Sequence, residues 1–319
     1  MQGLVAARLA GWNVAIPAAE EARSLATELG QPLWTAGAAM VSSTIAGMRG
    51  DADVAEQAGA EAERIAAPTG ANVIVALAQC GRICAALGAS RHADAYQAAD
   101  RLFDPADPAH HPVVAVWIIG DLAEAALHLG RVDEARGRMA EVEARVGDNP
   151  TVWIALGLRH ARALLADDEH AAGLFEAAVG ADLRRWPFQR ARALLACGQW
   201  LRRQRRITES RAPLRDARDV FDALGCAEFG DQARRELRAS GESSRRREAV
   251  APRDQLTAQE LQALLRDLVC RSYYQARRRA GDRHVAAQRN LLNKLLGKLY
   301  HCLQTSQPYD SAAAFPNHQ

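Results

Sequence analysis

The sequence predicts an all-α protein, built as a superhelical array of antiparallel helix hairpins with a helical C-terminal appendage. Three observations support this fold class. Hydrophobic residues make up 49% of the 319-residue chain and aromatic residues only 5%, so most of the apolar content is Ala and Leu, a composition typical of packed helices. Few runs of β-branched residues exist that could build a sheet. A helix, a tight polar turn and a second helix also recur along the chain.

Five polar turns mark the predicted hairpins. Their last residues are separated by roughly 38, 42, 36 and 39 positions, which lies within the range of solenoid repeats. In these turns a Gly at the end of the first helix can adopt the left-handed C-cap conformation, and an Asp, Ser or Thr then caps the next helix. We expect consecutive helices to run antiparallel. The turns cover residues 49–55, 88–93, 130–135, 166–171 and 205–210.

Helical periodicity between the turns predicts how the hairpins pack. Apolar residues between Val113 and Leu129 fall mainly three or four positions apart, which places them on one face of a helix. That face has to be buried, and the next hairpin supplies the partner, so that neighbours stack into one continuous core. The pattern resembles tetratricopeptide repeats, although the period is longer and more variable and that family's regular signature is absent. We assign residues 1–239 to this repeat domain.

The composition changes after the repeats. Residues 240–254 are polar and charged, contain a run of three arginines and include Pro252, which predicts a linker. Lysine occurs only twice in the chain, at Lys294 and Lys298, whereas Arg supplies 38 of the 40 basic residues. Four of the five tyrosines also lie in the last fifty residues. We therefore place a junction between about Gln262 and Arg271, with a separate helical tail over 269–319.

Three segments resemble one family. Residues 190–206, 212–217 with 221–225, and 254–262 are similar to the region that joins helical repeats to the DNA-binding domain in large LuxR-type transcriptional regulators of high-GC bacteria. The resemblance implies that 255–268 is the start of a helix-turn-helix. Leu256 lies in this segment, and Thr257 is its N-cap, with Glu260 at N3 completing a capping box.

The rest of that helix-turn-helix does not follow Gln262. In the family, a recognition helix places side chains against base edges in the major groove. DNA is a partner of the intact family, but without this helix we do not expect sequence-specific DNA binding here. The family also carries a nucleotide-binding module, yet the chain has no Gly-x-x-x-x-Gly-Lys-Ser/Thr run. No cofactor is therefore predicted.

The tail resembles a second family. Residues 271–279 and 289–303, ending near Tyr309 and Asp310, are similar to the C-terminal end of DEDD-type insertion-sequence transposases. The resemblance covers about fifty residues, from about 269 to 315, and includes none of that family's four catalytic carboxylates. It implies that a regulator gene was interrupted by a mobile element.

Two Arg-rich segments are candidate nucleic-acid contacts, because phosphate contacts are electrostatic and independent of sequence. The alternative interpretation is a solvated helix surface, which the neighbouring acidic residues favour for the first segment. In the tail, adjacent tyrosines add stacking surfaces of the kind used on single strands, and the alternative there is an amphipathic helix. The candidates are Arg202, Arg203, Arg205 and Arg206 in the repeat domain and Arg277, Arg278 and Arg279 in the tail.

Other residues that could form sites favour structural interpretations. Trp117, Trp153 and Trp200 are predicted to wedge between helices of the core rather than to stack on a ligand. Cys80 and Cys84 lie one helical turn apart without a His or acidic ligand at metal-binding spacing. No Gly-x-Ser-x-Gly or His-Glu-x-x-His motif and no plausible pair of catalytic carboxylates occurs. We therefore predict neither a catalytic site nor a metal site.

The sequence also indicates where the protein acts. Six scattered cysteines without a disulfide spacing, no signal peptide and no 18-residue apolar stretch predict a reduced, soluble cytoplasmic protein that does not enter the membrane. The leading hypothesis is a sensor and interaction region of a LuxR-type regulator, with a protein or small-molecule effector bound on the repeat surface. The alternative is a nucleic-acid-binding or transposase-derived protein. Effector identity and oligomeric state stay open.

Overall fold

Helices and the turns between them account for the described part of the chain. A computed structural model describes residues 2–180, 183–242, 268–282, 286–287 and 290–295, and these residues contain no β-strand. The all-α class is therefore confirmed for this part of the chain. Contacts divide the chain into two units, Met1–Ser243 and Ser244–Gln319, which we call the helical unit and the C-terminal unit.

Fourteen α-helices and one short 3-10 segment, Ala67–Thr69, follow one another in the described part of the helical unit. Most are joined by turns of two to four residues, so neighbours are antiparallel. The helices are α1 Gln2–Arg8, α2 Trp12–Glu28, α3 Pro32–Arg49, α4 Ala52–Ala66, α5 Asn72–Gly88, α6 His92–Asp100, α7 Pro112–Trp117, α8 Ile119–Leu129, α9 Val132–Val146, α10 Val152–Leu165, α11 Asp168–Gly180, α12 Pro187–Arg203, α13 Ile207–Leu224 and α14 Ala227–Ala239.

Helices pack mainly on their neighbours in sequence. Helix α3 contacts α2, α4 and α5, helix α8 contacts α10, and α12 contacts α13. Fully buried alanines such as Ala36 and Ala76 line these contacts, because small side chains let helices approach closely. At the α3–α5 crossing, a Cβ on Gly47 would collide with the carbonyl oxygen of Gly81. The crossing therefore requires glycine.

The turns follow the predicted chemistry only in part. Gly50 has φ +90° and ends α3, and the Asp51 side chain accepts a hydrogen bond from the Val54 backbone N–H at 3.3 Å. At the next turn the prediction is wrong. Ser90 takes the left-handed position with φ +59°, while Gly88 is the last residue of α5, where a Cβ would lie 3.2 Å from Phe229. Gly88 is thus needed for packing.

Arginine replaces the predicted side-chain cap at three helix starts. The N-cap residues Arg91, Arg131 and Arg206 accept no hydrogen bond from their helices. Each guanidinium instead pairs with the carboxylate three residues later, namely Asp94, Glu134 and Glu209. These acidic residues lie in the first turn, where the helix dipole also favours negative charge. The prediction of Asp, Ser or Thr caps is wrong at these turns because an ion pair occupies the position instead.

Helices near the two ends of the helical unit contact each other, and the last helix also contacts α5. The Trp12 indole N–H donates to the Leu224 carbonyl at 2.7 Å, although the two residues lie 212 positions apart. The Gln232 amide of α14 donates to the carbonyls of Leu87 and Gly88 at 2.5 and 2.7 Å. In an open solenoid each repeat contacts only its neighbours. The helices of this unit therefore make long-range contacts that an open solenoid lacks. The predicted superhelical array is not confirmed.

In the C-terminal unit the structure describes one further long helix, α15, Leu268–Arg279. Its buried Cys270 clusters with Leu291 and Leu295, and the Lys294 ammonium lies 4.7 Å from the centroid of the Tyr273 ring. The predicted helix-turn-helix start, with Leu256, Thr257 and Glu260, lies outside the described residues. The proposed boundaries at 239, 254 and 268 remain predictions. Over the described ranges, no helix is long and apolar enough to cross a membrane.

Candidate functional site

Helices α7, α8, α10 and α12 surround a cavity in the helical unit. Its volume is about 60 Å³, which is enough for a few water molecules or a small polar group. At its base α8 and α10 approach closely, because a Cβ on Gly120 would lie 3.1 Å from the Gly157 carbonyl oxygen. The wall is formed by Trp117, Gly120, Asp121, Trp153, Leu156, Gly157, Arg159, His160, Ala178, Leu183, Gln189, Arg192 and Ala193.

A buried ion network forms one side of the cavity. The guanidinium of Arg192, on α12, pairs with Asp121 and with Glu124, both on α8. His160, on α10, lies 3.3 Å from the second of these carboxylates. The network thus joins three helices around the cavity, and Arg192 holds the two carboxylates of α8 against α12.

Burial and ion pairing oppose each other in this network. Burial raises the pKa of Glu124, but Arg192 and then His160 outweigh it and hold that pKa well below its ordinary value. Burial likewise lowers the pKa of Arg192, and the two carboxylates outweigh it and raise that pKa. Both groups are therefore charged at neutral pH. A buried charge costs free energy unless it is paired, so each partner depends on the other.

Three buried side-chain polar atoms without a hydrogen-bond partner belong to residues of the cavity wall. They are Trp153 Nε1 and Arg192 Nε, which are donors, and Gln189 Oε1, which is an acceptor. More than nine in ten buried polar groups in proteins are paired, and each unpaired group costs about 1–3 kcal/mol. The cavity can accordingly hold water or a small molecule that offers both an acceptor and a donor.

Two tryptophans of the wall enclose an arginine from the first helix. The Cζ atom of Arg8 lies 4.4 Å from the centroid of the Trp117 ring and 4.3 Å from that of Trp153. Such distances are those of cation–π contacts. The predicted core wedge describes Trp200, which is buried and packs against Phe175 with 5.4 Å between ring centroids. Trp117 and Trp153 are half-buried and face both the cavity and a cation.

The Arg-rich segment of the helical unit does not form one free basic surface. Arg202 pairs with Glu236 at 2.5 Å, and Arg206 pairs with Glu209 at the same distance. Arg203 and Arg205 are exposed, and burial of part of its guanidinium lowers the pKa of Arg203. Two of the four predicted contacts are thus engaged within the protein, and two face solvent.

The three arginines of the tail lie at the end of α15. Arg277 pairs with the Asp282 carboxylate at 2.7 Å, and Arg278 donates to the backbone carbonyl of the same residue at 2.7 Å. Arg279 is exposed. Two of the predicted contacts therefore help to end the helix, where cations also interact favourably with the dipole.

The cysteines singled out in the sequence lie on α5, where Cys84 is buried and Cys80 is partly buried. Burial raises the pKa of the Cys80 thiol to about 12 and also raises the pKa of Cys84. The thiolate is the form of cysteine that acts as a nucleophile or binds a metal. A raised pKa keeps both side chains in the thiol form, which does neither. In the described ranges no three His, Cys, Asp or Glu side chains are grouped so that they could hold a metal ion.

Sequence reasoning missed the central residues of the cavity. Arg192 was not distinguished from the other residues of the segment 190–206, whereas the structure buries it. One signal was available, since Asp121 and Glu124 are the acidic residues within an otherwise apolar helix. Acidic residues one turn apart on an apolar stripe indicate a buried partner. The partner itself lies about seventy positions away, and nothing local identifies it.

Comparisons with known proteins bear on the tail. A stretch of 44 residues is 57% identical to a Streptomyces coelicolor protein described as "Mini-circle putative transposase for IS117", covering 14% of this chain and 11% of that protein. The chain thus spans about a ninth of the length of this relative. No protein-family model matches the chain. No solved structure matches it either. The match supports a transposase-like tail.

Proposed function

We propose that the helical unit is an effector-binding module that holds a small polar molecule in the cavity between α8, α10 and α12. The observation that carries this proposal is the group of three unpartnered polar atoms on the cavity wall, on Trp153, Gln189 and Arg192. They offer two donors and one acceptor beside a buried ion network. In this proposal the chain binds its effector and catalyses no reaction.

The wider role that we propose is that of a sensor and interaction region of a LuxR-type regulator, built from tetratricopeptide-like hairpins that close around the effector. The resemblance of 190–206 and 212–225 to that family supports this role. Helices near the two ends of the unit contact each other, and α14 contacts α5, so an effector in the cavity could change how those ends pack. A protein partner could detect such a change on the outer helices.

A thermal-shift panel tests the effector-binding role. The full chain would be heated with each of the amino acids, polyamines and small dicarboxylic acids. A compound present at about ten times its Kd should raise the free energy of unfolding by about 1.4 kcal/mol and the Tm by roughly 3–5 °C. Absence of any shift across the panel would count against the module.

A cavity-filling variant tests whether the compound that raises the Tm binds in the cavity. Ala193→Leu adds a branched side chain to the wall and should remove the ligand-induced shift while circular dichroism stays helical. The matched control is Ala172→Leu, the same change at a half-buried residue of α11 outside the cavity, and it should keep the shift. If Ala193→Leu responds to the compound as the native chain does, the effector binds elsewhere.

A second function, nucleic-acid binding by a transposase-derived protein, is favoured by the match of the tail to the Streptomyces protein. A gel-shift titration with single- and double-stranded DNA over a range of salt separates the two. Nucleic-acid binding predicts tight association with a steep salt dependence, weakened by Arg278→Ala with Arg279→Ala. The control is Arg91→Ala, an exposed arginine of the helical unit. No shift near physiological salt would favour the effector-binding role.

A further inference from the structure

Arg8 crosses from the first helix to the wall of the cavity. Helix α1 packs against α2 and α3, with Leu4 and Ala7 buried, and Arg8 is its last residue. Its guanidinium reaches Trp117 and Trp153, which belong to α7 and α10. A side chain from the N-terminal helix thus lies between two rings that also line the candidate effector site.

No carboxylate holds Arg8 in place. Its guanidinium makes no hydrogen bond or ion pair with the described residues. Burial lowers the pKa of Arg8, and Cys80 and then Asp121 oppose this without forming an ion pair with the guanidinium. A cation removed from water without a paired anion is expensive, so the faces of the two tryptophans provide its main attraction.

The other arginines that lie over aromatic rings differ in this respect. Arg131 lies over Tyr96 and pairs with Glu134, and Arg206 lies over Trp200 and pairs with Glu209. These arginines are fixed by carboxylates, and the ring is an additional contact. Arg8 has two rings and no carboxylate, so a competing cation would break no ion pair when it replaces this side chain.

The rest of the cavity complements a ligand that carries a planar cation. Asp121 supplies negative charge beside the tryptophans, and Gln189 Oε1 is an unpartnered acceptor for an N–H group. Trp153 Nε1 and Arg192 Nε are unpartnered donors for a polar end of the same molecule. A guanidinium is planar and weakly hydrated, and it stacks on aromatic faces better than a compact, strongly hydrated ammonium does.

We propose that Trp117 and Trp153 form a guanidinium-binding slot, that a small guanidinium compound is the ligand of this slot, and that Arg8 occupies it as an internal substitute. The inference rests on the proposed effector-binding role and adds the ligand class and a means of control. Ligand binding requires the Arg8 side chain to leave the slot. The apparent affinity is therefore the intrinsic affinity multiplied by the fraction of molecules in which the slot is open. Helix α1 then reports occupancy to α2 and α3.

Calorimetric titration with agmatine, a guanidinium compound without a carboxylate, tests the slot in the full chain. Arg8→Ala should bind agmatine about tenfold or more tightly than the native chain, because the internal competitor is removed. Arg8→Gln is a second variant that keeps more of the side chain in case the first does not fold. Equal affinity of the native and variant chains, or no binding by either variant, would overturn the proposal.

Two controls test the slot and its selectivity. Combining Arg8→Ala with Trp153→Leu should weaken agmatine binding about thirtyfold, the value of a desolvated cation–π contact. Combining it with Trp34→Leu should leave binding unchanged, because Trp34 is 71% exposed and outside the cavity. Putrescine, which carries ammonium groups, should bind at least about tenfold more weakly than agmatine. Equal binding of both amines would contradict the ligand class.

The outcomes separate this inference from the function on which it rests. If a compound of the thermal-shift panel stabilises the native chain and Ala193→Leu removes that effect, the cavity is an effector site whatever agmatine does. Failure of agmatine to bind Arg8→Ala would then refute the slot alone. Failure of every compound, including agmatine with both Arg8 variants, would refute both.

Discussion

The α3–α5 contact and the region between α8, α10 and α12 are built from similar hairpins, but their interiors differ. At α3–α5 the backbones of Gly47 and Gly81 touch, and the nearby Ser43 hydroxyl of α3 donates to the Ala55 carbonyl of α4 at 2.7 Å. Between α8 and α12, Arg192 pairs with carboxylates of α8 beside a cavity. Small residues thus set how closely α3 and α5 stack, whereas buried charges lie beside a cavity between α8 and α12.

The largest effect is expected from breaking the charged region. Arg192→Met leaves Asp121 and Glu124 buried without their cation, and loss of one partner of a buried ion pair costs roughly 3–5 kcal/mol. Chemical denaturation of the full chain measures this loss. Adding Asp121→Asn and Glu124→Gln to the same variant should recover part of it. Arg91→Met, which removes an exposed pair, should change stability by at most about 0.5 kcal/mol.

If Arg192→Met were no more harmful than Arg91→Met, the network would not be the element that joins α8 to α12. If the triple variant were less stable than Arg192→Met alone, the buried carboxylates would not be the source of the cost. Either result would remove the distinction between the two regions.

A smaller loss is expected at the close crossing. Gly47→Val forces α3 and α5 apart and should lower the free energy of unfolding by about 2–3 kcal/mol through overpacking. The matched control lies on the same helix, since a Cβ on Gly37 would meet nothing within 4 Å. Gly37→Ala should stabilise the chain by roughly 0.5–1 kcal/mol through helix propensity. Similar effects of both changes would contradict the close approach.

The smallest effect is a change with pH near the charged region. His92 stacks on His128 with 3.9 Å between ring centroids, and burial, followed by the charge of that neighbour, lowers the pKa of His92. The unfolded chain then binds more protons below about pH 6.5, so stability falls as pH decreases below this value. The carboxylates, whose ordinary pKa is near 4, change stability only at lower pH.

His92→Phe keeps a ring in the stack and removes its titration, so its Tm should fall less between pH 7 and about pH 5.5 than that of the native chain. The control is His170→Phe, an exposed histidine of α11, which should leave the slope as it is. A slope unchanged by His92→Phe would exclude this histidine as its source.

The same comparison explains what the sequence could predict. The helices and the Gly50–Asp51 turn follow from local spacing and are found as expected. Closure of the unit does not, because Trp12 and Leu224 are far apart in the chain and both have ordinary neighbours. The sequence predicts the left-handed conformation at Gly88, but Ser90 adopts it and Gly88 packs against Phe229. The packing of Phe229 against α5 is a long-range contact, so local spacing could not predict it.

The site was less predictable than the fold. Arg192 is one of many arginines in its segment, and only the arrangement of three helices distinguishes it from the exposed Arg203 and Arg205. Trp117 and Trp153 have the spacing of core residues, and their contact with Arg8 depends on where α1 lies. Local patterns determine helices, whereas the cavity depends on which helix faces meet.

Indole N–H signals in an NMR spectrum of the full chain, labelled with ¹⁵N-tryptophan, test the central claim most directly. The chain has six tryptophans, and Trp153→Phe and Trp117→Phe assign the two signals of the slot. We predict that agmatine added to Arg8→Ala shifts these two signals and leaves that of the exposed Trp34 in place. If the signals of Trp117 and Trp153 do not move, or if all six move together, these two residues do not form a guanidinium-binding slot.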